Sequence, residues 1–195
     1  MIRIIRRLGT PPKARGSVSG QNCPDIFELA DGNFAVIGTD ATNRLDAQLP
    51  ADTCRTDGDR IVMVTRETLI HAKVDIPVAA ESLRTAPALL SAGRSKAVGT
   101  RPVPTPASRG DQQNVKIVRR IGVPPQSRKS SPSTTGQTCP DIFELSDGNF
   151  AVIGTEATKE LDDKLPPDAS RADYERIVVI SRETLIEAKK DIPDA

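Results

Sequence analysis

The sequence predicts an α+β fold made of two tandem repeats. Each repeat is a small ββαβα unit, a three-stranded mixed sheet with two helices, and a flexible linker joins them. Three observations carry this expectation. The chain repeats itself. Each copy holds an Asp-Gly pair between two short apolar runs. Each copy then ends in a β-branched run, followed by a helix with a hydroxyl at its start and a proline beyond its end.

The repeat is read directly. Residues 21–77 align without a gap on residues 137–193, at an offset of 116, with 39 identities in 57 positions. Upstream, residues 2–12 (IRIIRRLGTPP) match residues 115–125 (VKIVRRIGVPP) at an offset of 113. The organisation that follows is a basic arm and loop at 1–22, a core at 23–77, a linker at 78–114, a second arm and loop at 115–138, and a second core at 139–193. The linker is rich in Ala, Pro, Ser and Arg and has no aromatic residue, the composition of a flexible spacer.

Within the second copy, residues 142–145 and 150–153 flank Asp147-Gly148. This is a strong hairpin signal, because Gly accepts the positive φ of a type I′ turn. The first copy repeats it at Asp31-Gly32. A helix is expected over residues 157–165, with Leu161 and Leu165 four apart, Thr155 as N-cap and Pro166-Pro167 as the stop. Residues 176–180 (RIVVI) form a continuous β-branched run, which reads as a central strand buried on both faces. Ser181, or Thr65 in the first copy, then caps a helix over 182–189. Ile117 and Val118 of the arm supply material for a fourth, edge strand. A core of about 57 residues lies near the lower limit for folding alone, which leaves open intramolecular pairing of the two copies; the sequence does not decide whether they touch.

Composition narrows the function classes. The chain has 195 residues, 37% hydrophobic and 3% aromatic, with three Cys and one His. No run approaches the ~20 apolar residues of a membrane span, so no membrane association is expected. Three Cys are too few for a disulfide scaffold. The N-terminus lacks the apolar stretch of a secretory signal, so a cytoplasmic location with reduced thiols is expected. Charge is segregated: the arms are purely basic among their charged residues, while both cores carry more acid than base.

The candidate sites follow from these patterns. Arg6, Arg7, Arg119 and Arg120, each pair followed by Gly-x-Pro-Pro, read as a linear interaction motif; the plainer reading of the arms is solvated tails, or segments lying over the chain's own acidic cores. Arg66 with Thr68, and Arg182 with Thr184, stand at the start of a helix and form a candidate anionic-ligand site; a surface pair of Arg182 with Glu183 or Glu144 is the plainer reading. Cys23 and Cys139 form a candidate thiol pair, against the plainer reading of small buried thiols. Cys54 is Ser170 in the second copy, and His71 is Glu187, so zinc spacing is lacking and no metal or cofactor is expected. No phosphate-loop pattern and no Ser-His-Asp set is present.

The block CPDIFEL…DGNFAVIG…RIVVI resembles that of small uncharacterised actinobacterial proteins, over both cores. The resemblance implies a bacterial, cytosolic setting and carries over no functional residues; most such proteins have one copy, and the duplication here departs from that. The expectation is a non-enzymatic protein-binding or regulatory module with an unidentified protein partner. The alternatives are a nucleic-acid-associated protein that uses its basic arms, although they lack aromatics for stacking, and a small anionic-ligand binder or enzyme at Arg66/Arg182.

Overall fold

The computed structural model describes residues 2–11, 14, 24–53, 55–78, 115–124 and 140–194. Residues 79–114 of the linker, Cys23, Cys139 and Cys54 lie outside the described residues. The fold is α+β. The first half contains β1 (Ile4–Leu8), β2 (Asp25–Leu29), β3 (Phe34–Asp40), α1 (Thr42–Leu45), β4 (Asp59–Val64) and α2 (Arg66–Lys73). The second contains β5 (Ile117–Ile121), β6 (Asp141–Leu145), β7 (Phe150–Glu156), α3 (Thr158–Leu161), β8 (Glu175–Ile180) and α4 (Arg182–Ala188).

The expected pair of three-stranded mixed sheets is replaced by one eight-stranded sheet. Its pairings among the described residues are all antiparallel. The arms do add edge strands, β1 beside β2 and β5 beside β6. The decisive difference is in the centre. β4 meets its own neighbour β3 only at Thr39–Met63 and Asp40–Val62. It pairs instead along its whole length with β7 of the other half, from Asp59↔Thr155 to Val64↔Phe150. Reciprocally, β8 pairs with β3 from Phe34↔Ile180 to Thr39↔Glu175. The two registers are equivalent residue for residue, which is the mark of an isologous, two-fold arrangement. Each half has lent the other a strand.

The residues make this exchange favourable. β4 and β8 are buried on both faces, so each needs a strand on either side. Their backbones cross close to Gly38 and Gly154. A Cβ on Gly38 would lie 2.4 Å from the Met63 carbonyl oxygen, and one on Gly154 2.5 Å from that of Val179, so no larger residue fits without displacement. One core spans both halves and includes Phe34, Val62 and Leu69 with Phe150, Val178 and Leu185. On the other face, α1 lays Ala41 and Leu45 on Phe143 and Ile153, while α3 lays Leu161 on Phe27 and Ile37. Phe27, Phe34, Phe143 and Phe150 are fully buried, each contributing about 1.5–3 kcal/mol through burial.

Local details refine three expectations. The hairpin loops hold three residues rather than two. Gly32 N–H donates to the Leu29 carbonyl at 2.9 Å, and Gly32 has φ +85°, the geometry of a turn followed by a glycine bulge rather than type I′. Thr65 and Ser181 do cap α2 and α4, accepting from Thr68 N–H and Thr184 N–H. The helix expected over 157–165 is shorter: α3 ends at Leu161 and tightens into a 3-10 turn at Asp162–Lys164. Its N-cap position is Ala157, and Glu156 rather than Thr155 receives the Thr158 N–H, at 3.0 Å.

Candidate functional site

The arm arginines face inward. Arg7 Nε donates to Asp25 Oδ2 at 2.7 Å, and its two Nη atoms grip Asp168 of the other half at 2.5 and 3.1 Å. Arg120 repeats this with Asp141 at 2.8 Å and Asp52 at 2.7 and 2.9 Å. The guanidiniums lie 5.2 Å from the Phe27 ring centroid and 5.4 Å from that of Phe143, within cation–π range. Arg120 is hydrogen-bonded to Asp52, which outweighs burial and raises its pKa; the same bond lowers that of Asp52.

Arg66 and Arg182 belong to the same lattice. Arg182 Nη1 donates to Glu28 Oε1 at 2.9 Å, while Arg6 Nε donates to the other oxygen of Glu28 at 2.7 Å. Arg66 and Arg119 hold Glu144 likewise, at 3.2 and 2.7 Å. An Arg–Glu pair was the plainer expectation for Arg182, but its partner is Glu28 of the other half, not Glu183 or Glu144. Strand exchange carries the start of α4 to the edge of β2. Thr68 and Thr184 are buried, and their hydroxyls bond to Thr65 and Ser181 at 2.8 Å. These residues therefore join the halves and leave no open pair of Arg and Thr. The glycines of the arm motif are also explained. Gly9, at φ +78°, packs against α2, where a Cβ would lie 2.8 Å from Ala72 N; its N–H donates to Asp75 at 2.6 Å.

The exchange creates a different site. A cavity of about 760 Å³ opens where the ends of β3, β4, β7 and β8 meet. Its walls come in equivalent pairs, one from each half: Arg60 with Arg176, Arg55 with Arg171, Asp40 with Glu156, and Thr42 with Thr158. Asn43 is matched by Lys159, and Asp57 also contributes. Five lining side chains are cations (Arg55, Arg60, Lys159, Arg171, Arg176) and three are acids (Asp40, Asp57, Glu156).

The lining groups differ in how firmly they are tied. Arg55 is fixed outward by Asp46 at 2.5 Å and by the Thr56 and Asp59 carbonyls, each at 3.1 Å. Arg171 is fixed in the same way by Asp162, at 3.0 and 3.2 Å. Arg60 and Arg176 are anchored through Nη1 alone. That of Arg60 donates to the Asp57 and Asp59 carbonyls at 2.8 and 2.9 Å, and that of Arg176 to the Asp173 and Glu175 carbonyls at 2.8 and 2.9 Å. The closest carboxylate to Arg176 is Asp40, at 3.9 Å. Their Nη2 groups make no hydrogen bond among the described residues. Both arginines act on Glu156: burial pushes its pKa up, but hydrogen bonds from Thr158 and the charges of Arg60 and Arg176 outweigh this and hold it below the ordinary value. Behind the wall, Glu175 is fully buried, and burial raises its pKa against the Ala172 N–H and the charge of Arg171.

The sequence pattern singles out neither Arg60 nor Arg176 as a site residue, because the two reach one cavity only through exchange. The arrangement offers cationic hydrogen-bond donors around an open polar space. Comparison with models of known families, with curated proteins and with solved structures finds no match. No helix among the described residues is long and apolar enough to cross a membrane.

Proposed function

We propose that the protein is a non-enzymatic binding and regulatory module. Two copies of a duplicated small domain form one body, and the element that meets the ligand is the cavity they share. The ligand is a small anion. The supporting observation is the convergence of Arg60 and Arg176, one from each half, with donors to spare on one cavity. A cavity of about 760 Å³ lies within the ~300–1,000 Å³ of ordinary small-molecule sites.

This reading moves the anion site from Arg66/Arg182, whose guanidiniums are bound to Glu144 and Glu28, to the cavity. It also replaces docking through the arms. Arg7 and Arg120 are each held by two carboxylates, and Arg6 and Arg119 are tied to Glu28 and Glu144, which they share with Arg182 and Arg66, so the arms are engaged by the chain's own acids. The test is thermal stability across a series of simple anions at constant ionic strength. Multivalent anions are expected to raise Tm, and the double change Arg60→Ala with Arg176→Ala to remove the rise. A Tm that follows ionic strength alone, the same in both proteins, would contradict the reading.

A further inference from the structure

We infer that the cavity takes a two-ended anion, a phosphoanhydride or bisphosphate compound, with one end held by Arg60 and the other by Arg176. This inference rests on the anion reading above and specifies its ligand.

Two features require two ends. Arg60 and Arg176 occupy equivalent positions in the two halves, so whatever one of them can hold, the other can hold too. Arg55 and Arg171 are already taken by Asp46 and Asp162, so the guanidinium donors left for a ligand are those of Arg60 and Arg176, one from each half. A single small anion bound to one arginine would leave the other facing the cavity unmatched.

Phosphoryl groups fit better than carboxylates. The cavity already contains Asp40 and Glu156, and an entering group has to compete with them for the arginines. Each carboxylate has one oxygen engaged by a backbone N–H: Thr42 to Asp40 at 2.9 Å, and Thr158 to Glu156 at 3.0 Å. A ligand carboxylate brings one charge and no advantage over them. A phosphoryl group carries close to two charges and three acceptor oxygens, and arginine forks recognise it in bidentate fashion.

The cavity also has a direction. Lys159 stands where the first half has Asn43. Lys159 is exposed, has no carboxylate partner among the described residues, and lies on α3, which packs against β8, the strand that carries Arg176. One end of the ligand therefore meets one more cation than the other. The more highly charged end is assigned to Lys159.

The experiment is isothermal titration calorimetry on the full chain with orthophosphate, pyrophosphate and succinate at fixed ionic strength. Pyrophosphate is expected to bind one per chain, at least about 10-fold more tightly than orthophosphate or succinate. Arg60→Ala and Arg176→Ala singly are each expected to reduce pyrophosphate to the orthophosphate level, and Lys159→Asn to weaken it less. Arg44→Ala, outside the cavity wall, should leave it unchanged. Equal affinity for orthophosphate and pyrophosphate would overturn the two-ended site while leaving an anion site in place, and succinate binding as tightly as pyrophosphate would overturn the phosphoryl assignment. If none of the three anions binds, the anion reading itself falls. Displacement of pyrophosphate by duplex DNA, with a steep salt dependence, would overturn the small ligand in favour of a phosphate polymer.

Discussion

Arg120 and Arg176 lie in the same half of the chain and use the same side chain differently. Arg120 gives Nε to Asp141, both Nη atoms to Asp52, and a face to the Phe143 ring. Arg176 is anchored through Nη1 to two carbonyls, with its nearest carboxylate at 3.9 Å. Arg120 is 14% exposed and Arg176 34%. The first arrangement locks two halves together; the second leaves donors free for a ligand. Counting basic residues along the sequence does not distinguish them. Their partners do, and the deciding one for each, Asp52 beside Arg120 and Asp40 beyond hydrogen-bond reach of Arg176, lies in the other half.

Breaking the locked arrangement should have the largest effect. Asp141 is fully buried against Arg120, and removing one partner of a buried pair leaves an unmatched charge. Asp141→Ala is expected to cost about 3–5 kcal/mol by chemical denaturation, and Asp25→Ala a similar amount. Asp168, at 40% exposure, is the outer partner of Arg7, and Asp168→Ala should cost only about 0.5–1 kcal/mol. Equal losses for the inner and outer acids would contradict this account of the pair.

The strand crossing comes next. Gly38→Ala places a Cβ against the Met63 carbonyl, which cannot yield as a side-chain tip would. The expected cost is about 1–3 kcal/mol, read as a fall in the denaturation midpoint.

Glu175 gives a smaller effect, which depends on pH. Its folded-state pKa is raised by burial, so the folded state holds the proton more tightly than the unfolded one. Its contribution is therefore most favourable at low pH and is lost as pH rises from the ordinary glutamate value through the raised one. Glu175→Gln should flatten that part of the stability profile and make the protein more stable than the parent at pH 7. An unchanged profile would remove Glu175 from the account.

The smallest effect on stability belongs to the cavity. Arg60→Ala with Arg176→Ala should cost no more than about 1 kcal/mol, because water at the open cavity replaces the hydrogen bonds lost at the Asp57, Asp59, Asp173 and Glu175 carbonyls. The same pair should raise the pKa of Glu156, which both arginines help to lower, and an NMR titration reads this directly.

Much of the local structure could be read from the residues. The Asp-Gly hairpins, the Thr65 and Ser181 caps and the arm strands follow from turn chemistry, hydroxyl capping and apolar spacing. The exchange could not be read, for a physical reason. The runs Ile61-Val62-Met63-Val64 and Ile177-Val178-Val179-Ile180 are nearly the same, so β3 meets almost identical side chains whether β4 or β8 lies beside it. Periodicity specifies the strand but not which copy supplies it. The cavity shares that limit, because its walls come from residues 40–60 and 156–176, far apart in sequence. The spacing of Leu161 and Leu165 predicts one helix through both, and both do pack in the cluster with Phe27 and Ile37, but the chain between them tightens into a 3-10 turn. The segregation of charge left the arms either solvated or lying over the acidic cores, and Arg6, Arg7, Arg119 and Arg120 lie against core carboxylates.

The central claim is that neither half is complete without the strand lent by the other. Its most direct test is to place a protease site in the linker, within residues 78–114, cut the folded protein there, and examine the product by size-exclusion chromatography and thermal denaturation. The exchanged fold predicts that the two fragments remain together at the mass of the intact chain and unfold in a single transition. Two fragments that separate as folded monomers would contradict it.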